Sequence, residues 1–345
     1  MKRIYYNMSL SAIICCVSLA FCACASSGAP GWTRNPYSVY DKQTDVAVVG
    51  VAGNRQDAEK KAFANLVAYF GQSVKVDEKL IESYKEAERK GITTSFGSTD
   101  FDSAIVIAAG MDSLVGAEIS DVWDDGKGSV YAVAVLNKAK AIQTYSNLVT
   151  TNKEMIDKLV KIPEKNKNTL DGFARYKFAS TVADINITYG NLLSQLGAPE
   201  FAKGLRNGDD YRLESFNITK LIPVGIVVKN DKSDRIKDTF AKVFSDLGFR
   251  SGGNNSRYVL NVKIVTSPVN MPDSPYKWIR IELSANLTDT GYRGTVLLPY
   301  SFNSREGHST QANAENAAYL EAERKIKEEY KDILSNYLSN LLPQK

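Results

Sequence analysis

The chain has 345 residues, of which 43 are Lys or Arg, 39 are Asp or Glu and one is His, for a formal net charge of +4. So even a balance excludes the concentrated basic face of a nucleic-acid binder. A single histidine leaves little for zinc chemistry, which needs His or Cys ligands in groups. The length suits two folded domains.

Lys2 and Arg3 form a basic head, and an uncharged, largely apolar run follows from Met8 to Ala23. That run is short for a membrane-spanning helix and suits the core of a signal peptide over residues 1–23. All four cysteines, Cys15, Cys16, Cys22 and Cys24, lie within it or directly after it. The basic head, the apolar core and the small Ala23 before Cys24 resemble a bacterial lipoprotein signal. In such signals a peptidase cuts before the Cys, which then carries fatty acyl chains; Phe21 stands where Leu is usual. The resemblance implies that Cys24 is lipidated and that the membrane is a partner. The alternative is an ordinary secretory signal cut near Ala23 or Ala25. Processing at Cys24 would leave the mature chain without a second cysteine, and so without an internal disulfide. Several acyl chains, at about 0.8 kcal/mol per buried CH₂, would make the attachment effectively permanent. Removal of Lys2 and Arg3 leaves 41 basic against 39 acidic residues.

Residues 24–44, rich in Gly, Pro, Ser and Asn, read as a flexible tether. Val46 to Val51 is a short β-branched run, so a buried strand. Gly50 and Gly53 mark a turn, and a helix opens near Asn54 to Asp57. Its apolar stripe is Ala58, Ala62, Leu66 and Tyr69 or Phe70, and Gly71 ends it. Gly50-x-x-Gly53 follows a strand and opens a helix, as a phosphate loop would. The third glycine of a dinucleotide fingerprint is missing, however, and Ala58 and Ala62 more simply let the helix lie close to the sheet. Gln72 to Ile81 alternates as a strand could, and residues 82–114 carry no clear period.

"GAEISDVWDDGKGSVYAVAVLNK" is a hairpin. Ile119 and Trp123 are expected on one face, Val130, Ala132 and Ala134 share a face of the return strand, and Asp125-Gly126 and Gly128 supply the turn. Ala139 to Ile162 reads as a helix ended by Pro163. A second helix, from Asn168 to Leu196, carries Phe173, Tyr176, Val182, Ile185, Tyr189, Leu192 and Leu196 as its stripe, and Gly197-Ala198-Pro199 stops it. The two suit a helical hairpin, and polar residues 200–216 suit a domain boundary. Beyond it "LIPVGIVVK" is a strand, and Ile236, Phe240, Val243 and Leu247 mark a helix ended by Gly248. Extended segments follow at Arg257 to Val265, Lys277 to Thr288 and Tyr292 to Asn303, the last two joined by a turn at Asp289 to Gly291. A final helix, from Gln311 to about Leu342, shows Tyr319, Ala322, Ile326, Tyr330, Ile333, Tyr337 and Leu341 at three-four spacing. "AEKKA" at 58–62 and "AENAA" at 314–318 both open a helix with Ala at i and i+4. The expected fold class is α+β, with two domains, 45–199 and 215–345. Each is a mainly antiparallel sheet with packed helices, and the helical hairpin lies between the sheets.

"PGWTRNP" (Pro30 to Pro36), "VVGVAGNRQDAEKKAFANL" and "VGAEISDVWDDGKGSVYAVAVLNKAKA" resemble the Lpp-twenty-type family of bacterial outer-membrane lipoproteins. They are also similar to the N-terminal domain of the flagellar T-ring and H-ring assembly protein. The likeness spans about residues 30 to 196 and rests on Trp32, the G-x-A strand–helix and the I-x-x-x-W hairpin with its following Lys. It implies an envelope protein anchored at the outer membrane, and it brings no catalytic or cofactor-binding residues.

Candidate chemistry is sparse. His308, in "SREGHSTQ", is the one histidine a Ser-His-Asp arrangement could use; the plainer reading is a residue at the entry to the last helix. Asp124-Asp125-Gly126 hints at calcium but lacks the further oxygen ligands of an EF-hand, and a hairpin turn explains it. Glu328-Glu329, beside Lys325, Lys327 and Lys331, suits solvated i,i+4 pairs. The 18 tyrosines, many of them on helix stripes, suit core packing. An exposed tyrosine face would instead suit a protein or glycan partner. The expected function is a non-enzymatic, lipid-anchored envelope protein, periplasmic or surface-facing, with no cofactor or metal. It would bind an envelope protein or peptidoglycan, and an oligomer is possible. The alternatives are a surface adhesin and a hydrolase using His308.

Overall fold

The computed structural model describes residues 28–71, 114–339 and 341. The signal peptide, Cys24, the expected strand at 72–81 and nearly all of the segment 82–114 lie outside the described residues. The chain divides into two compact units, Met1–Tyr69 with Asp112–Lys138 and Phe70–Met111 with Ala139–Lys345. The class is α+β.

The first unit is a three-stranded antiparallel sheet in the order β1-β3-β2, with β1 Asp45–Ala52, β2 Ala117–Asp124 and β3 Val130–Asn137. Helix α1, Arg55–Tyr69, covers one face through Ala58, Ala62 and Leu66, all fully buried. Gly50 is needed under it: a Cβ there would stand 2.2 Å from the Ala62 amide nitrogen and 2.4 Å from the Ala58 carbonyl oxygen. Phe70 is buried, whereas Tyr69, the other candidate for the end of the stripe, is 54 % exposed.

Two expectations fail in this unit. Residues 31–44 are not a loose tether. Gly31–Thr33 and Pro36–Ser38 form 3₁₀ turns, and Trp32 is buried against the sheet face opposite α1. Ile119 and Trp123 do not share a face either. A bulge at Ser120 shifts the register, so Ile119 pairs with Ala134 while Trp123 pairs with Tyr131. One extra residue in a period-two strand sends every later side chain to the other side.

The second unit is a five-stranded sheet in the order β5-β4-β6-β7-β8. The strands are β4 Val224–Lys229, β5 Ser251–Gly252, β6 Tyr258–Val269, β7 Lys277–Asp289 and β8 Thr295–His308. Strands β6, β7 and β8 form an antiparallel meander, and β4 joins β5 and β6 in parallel, so the sheet is mixed. Helix α5, Arg235–Asp246, buries Ile236, Phe240, Val243 and Phe244. The last helix runs as α6, Gln311–Lys325, a π-turn at Ile326–Tyr330, and α7, Lys331–Ser339. Its buried stripe continues from Tyr330 to Leu334 and Leu338, not to Ile333, which is 37 % exposed. Steps of four residues overshoot an α-helical turn by about 40° each, and the wider π-turn takes up the drift.

Helices α2, Lys138–Val160, and α3, Leu170–Gln195, run antiparallel. Tyr145 meets Tyr189 at 5.2 Å between ring centroids, and Met155, Ile156 and Leu159 pack with Phe178 and Val182. The expected boundary at 200–216 is instead largely helix α4, Gly208–Leu221. Nor does the helical pair belong with the first sheet. Leu170 and Phe173 of α3 and Ile218 and Ile222 of α4 share one core cluster with the second sheet. The Tyr258 hydroxyl also accepts a hydrogen bond from the Leu170 amide.

Candidate binding face of the first unit

The Trp32 side of the first sheet is the one place where aromatic groups gather on a half-open surface among the described residues of that unit. Trp32 lies on Ala47, Val133 and Val135, and Tyr37, Tyr40, Val49, Trp123 and Tyr131 pack around it partly buried. Its indole Nε1–H donates to Asp121 Oδ2 at 3.0 Å. The Ser120 bulge makes that bond possible by turning Asp121 to this side. Asp121 Oδ1 also accepts from the Val122 amide at 2.8 Å, which holds the carboxylate in place. Trp123 and Tyr131 meet tilted at 47°, with 5.3 Å between centroids. The Lys42 ammonium sits 5.8 Å from the Tyr37 ring centroid. Val51, at the end of the same face, is 36 % exposed. Rigid aromatic surfaces with a polar rim are what protein and glycan partners use.

The remaining candidates have structural duties. Asn54 caps α1: its Oδ1 accepts from the Asp57 amide at 2.9 Å and its Nδ2 donates to Asp57 Oδ2 at 2.8 Å. That amide, which a phosphate would need, is occupied, and Gly50 serves the close helix–sheet approach. Asp124 Oδ1 accepts from the Gly126 amide, and Asp125 Oδ1 from the amides of Lys127 and Ser129. The Ser129 and then the Lys127 amide hold the Asp125 carboxyl below its ordinary value. Both carboxylates build the turn that calcium ligation would need them to leave.

His308 ends β8, paired with Lys277, and is exposed. Its Nδ1 accepts from the Ser309 amide at 2.9 Å, which leaves the proton of the neutral ring on Nε2. Lys325 pairs with Glu329 and Arg324 with Glu328, both at i,i+4 on the solvated side of the last helix. Tyr189, Tyr319 and Tyr330 are core residues. Cys24 lies outside the described residues. Among the described residues no group of three His, Cys, Asp or Glu could hold a metal ion, and no helix is long and apolar enough to cross a membrane.

Trp32 and Trp123 were legible as part of the family resemblance. Tyr37, Tyr40 and Tyr131 were missed because they lie in a segment read as tether and on a strand read only for its inner face.

No protein-family model matches the chain, and no curated protein matches it in sequence. Among solved structures, a secreted protein of Helicobacter pylori aligns over 85 % of this chain and 97 % of its own, at 13 % identity and a TM-score of 0.41. A minor lipoprotein of Acinetobacter baumannii aligns over 36 % of this chain and 98 % of its own, at 16 % identity and a TM-score of 0.24. A protein of Xanthomonas campestris aligns over 31 % and 80 %, at 16 % identity and a TM-score of 0.24. A lipoprotein and a secreted protein thus stand among the structures with partial likeness, but at such scores the likeness assigns no function. The resemblance read from "PGWTRNP" and the hairpin rests on those residues alone.

Proposed function

We propose that this chain is a non-enzymatic cell-envelope protein, held at the outer membrane by a lipid on Cys24. Its work would be to bind an envelope protein or peptidoglycan through the aromatic face of the first unit. The observation that carries the reading is the docking of Trp32 on the sheet. Trp32 is eight residues after Cys24, and eight extended residues span at most about 29 Å. A lipid on Cys24 would therefore hold the Tyr37–Tyr40–Trp123–Tyr131 face close to the bilayer, where envelope components are concentrated.

The test is the intact mass of the native protein beside that of Cys24→Ser. A mass for a chain beginning at Cys24 plus acyl groups, lost in the variant, is expected. An unmodified chain beginning near Ala25 would overturn the anchor. Protease shaving of whole cells separates a periplasmic protein from a surface adhesin. Turnover of a small-molecule substrate by the purified protein, abolished by His308→Ala, would overturn the non-enzymatic reading in favour of the hydrolase.

A further inference from the structure

Helix α4 buries Tyr211, Ser215, Ile218 and Thr219 on its inner side, as an amphipathic helix should. Its outer side is unusual. Leu213 is 59 % exposed and Phe216 is 50 % exposed, next to each other on the helix surface. Asp209, Leu213, Phe216 and Lys220 follow at spacings of four, three and four, which lines them up in one straight stripe. The stripe reads acidic, apolar, apolar, basic, and it has a centre between residues 214 and 215. A second α4 laid antiparallel over that centre would set Lys220 against Asp209 and Phe216 against Leu213, at both ends alike.

We propose that a second copy of this chain docks on α4 in this way, as a two-fold antiparallel helix pair. Charge complementarity selects that occupant, because the stripe is complementary to itself. The same residues meet on both sides, as an isologous interface requires, and the four-three-four spacing is the one by which helices interlock. Antiparallel helix dipoles add to the match, each acidic N-terminal end lying beside the other helix's C-terminal end. Of the two end groups, Lys220 lies over the stripe, while Asp209 is shared with Arg212, which also pairs with Asp184 of α3. Arg212 Nε donates to Asp209 Oδ1 at 3.0 Å, and the Lys220 ammonium lies 4.2 Å from the Phe216 ring centroid. One pair of 14-residue helices buries less than the ~1,200–2,000 Å² of a stable standard interface, so the association is weak in solution. The inference is independent of the lipid on Cys24.

The test uses the full chain with Cys15, Cys16, Cys22 and Cys24 replaced by Ser. Leu213→Cys and Phe216→Cys versions are mixed under a mild oxidant. The antiparallel pairing predicts that the mixed disulfide forms several-fold faster than either self-linked dimer. Sedimentation at high concentration supplies the second arm. Asp209→Lys and Lys220→Asp should each weaken self-association, and the double swap should restore it to the level of the parent chain. Equal rates for all three disulfides, a chain monomeric throughout, or no recovery in the swap would each overturn the second copy as the occupant. All four stripe positions are exposed, so circular dichroism should stay unchanged in every variant.

Discussion

In the first unit both faces of the sheet are covered, by α1 on one side and by the Trp32 segment on the other. In the second, α5, α6 and α7 share one core with the inner face, while Asn261, Lys263, Ser284, Asn286, Ser301 and Asn303 of the other face are exposed. An antiparallel sheet can leave one side to water when that side is polar. The first sheet cannot, because Ala47, Val49, Val133 and Val135 lie on its second side and need a lid. The lid is short and aromatic, so it leaves Trp123, Tyr131 and Tyr37 partly open. A polar bare face can stand in water as it is, whereas an apolar face needs cover.

The sharpest way to break this comparison is to remove the lid. Trp32→Ala should cost the first unit about 3–5 kcal/mol, the range for a large buried aromatic, read by chemical denaturation. A loss below about 1 kcal/mol would mean that the segment merely rests on the sheet. Next comes the opposite face of the same sheet. Gly50→Ala would push a Cβ into the backbone of α1 and should cost about 1–3 kcal/mol; a neutral result would show that the helix can lift away.

In the second unit the informative residue is Tyr330. It is fully buried, its hydroxyl has no hydrogen-bond partner, and burial pushes its pKa far up. Tyr330→Phe should therefore be neutral or stabilising by up to about 1 kcal/mol at pH 7. Tyr300 is pushed up to about 12, first by burial and then by Glu329. A raised folded pKa favours the neutral phenol, so this contribution is whole below the unfolded value near 10. It is lost as the pH climbs through 12. Tyr300→Phe should flatten the alkaline fall in stability across that window, as measured by denaturation at stepped pH. The smallest effect is expected on the bare face: Ser284→Ala should stay within about 0.5 kcal/mol. A larger change would show that this face is covered after all.

The elements were legible in the sequence wherever a local pattern sufficed. The stripe Ala58, Ala62, Leu66 marks α1, Gly126 and Gly128 mark the hairpin turn, and Gly197 and Gly248 mark helix ends. Each depends on residues within a turn or two of one another, so chain-local chemistry decides them. The aromatic candidate face was half legible, through Trp32 and Trp123, and the α4 stripe was hidden inside a stretch read as polar linker. What the tertiary structure alone decided depends on partners far along the chain. Trp32 becomes a lid because Ala47, Val133 and Val135 need cover. Ser120 bulges, which lets Asp121 reach an indole 89 residues away. The π-turn at Ile326–Tyr330 is where the last helix keeps its stripe on a core already shaped by Phe240 and Tyr300. Period and propensity act over a few residues, whereas register, face and cover are set by the burial of side chains that meet only in the folded molecule.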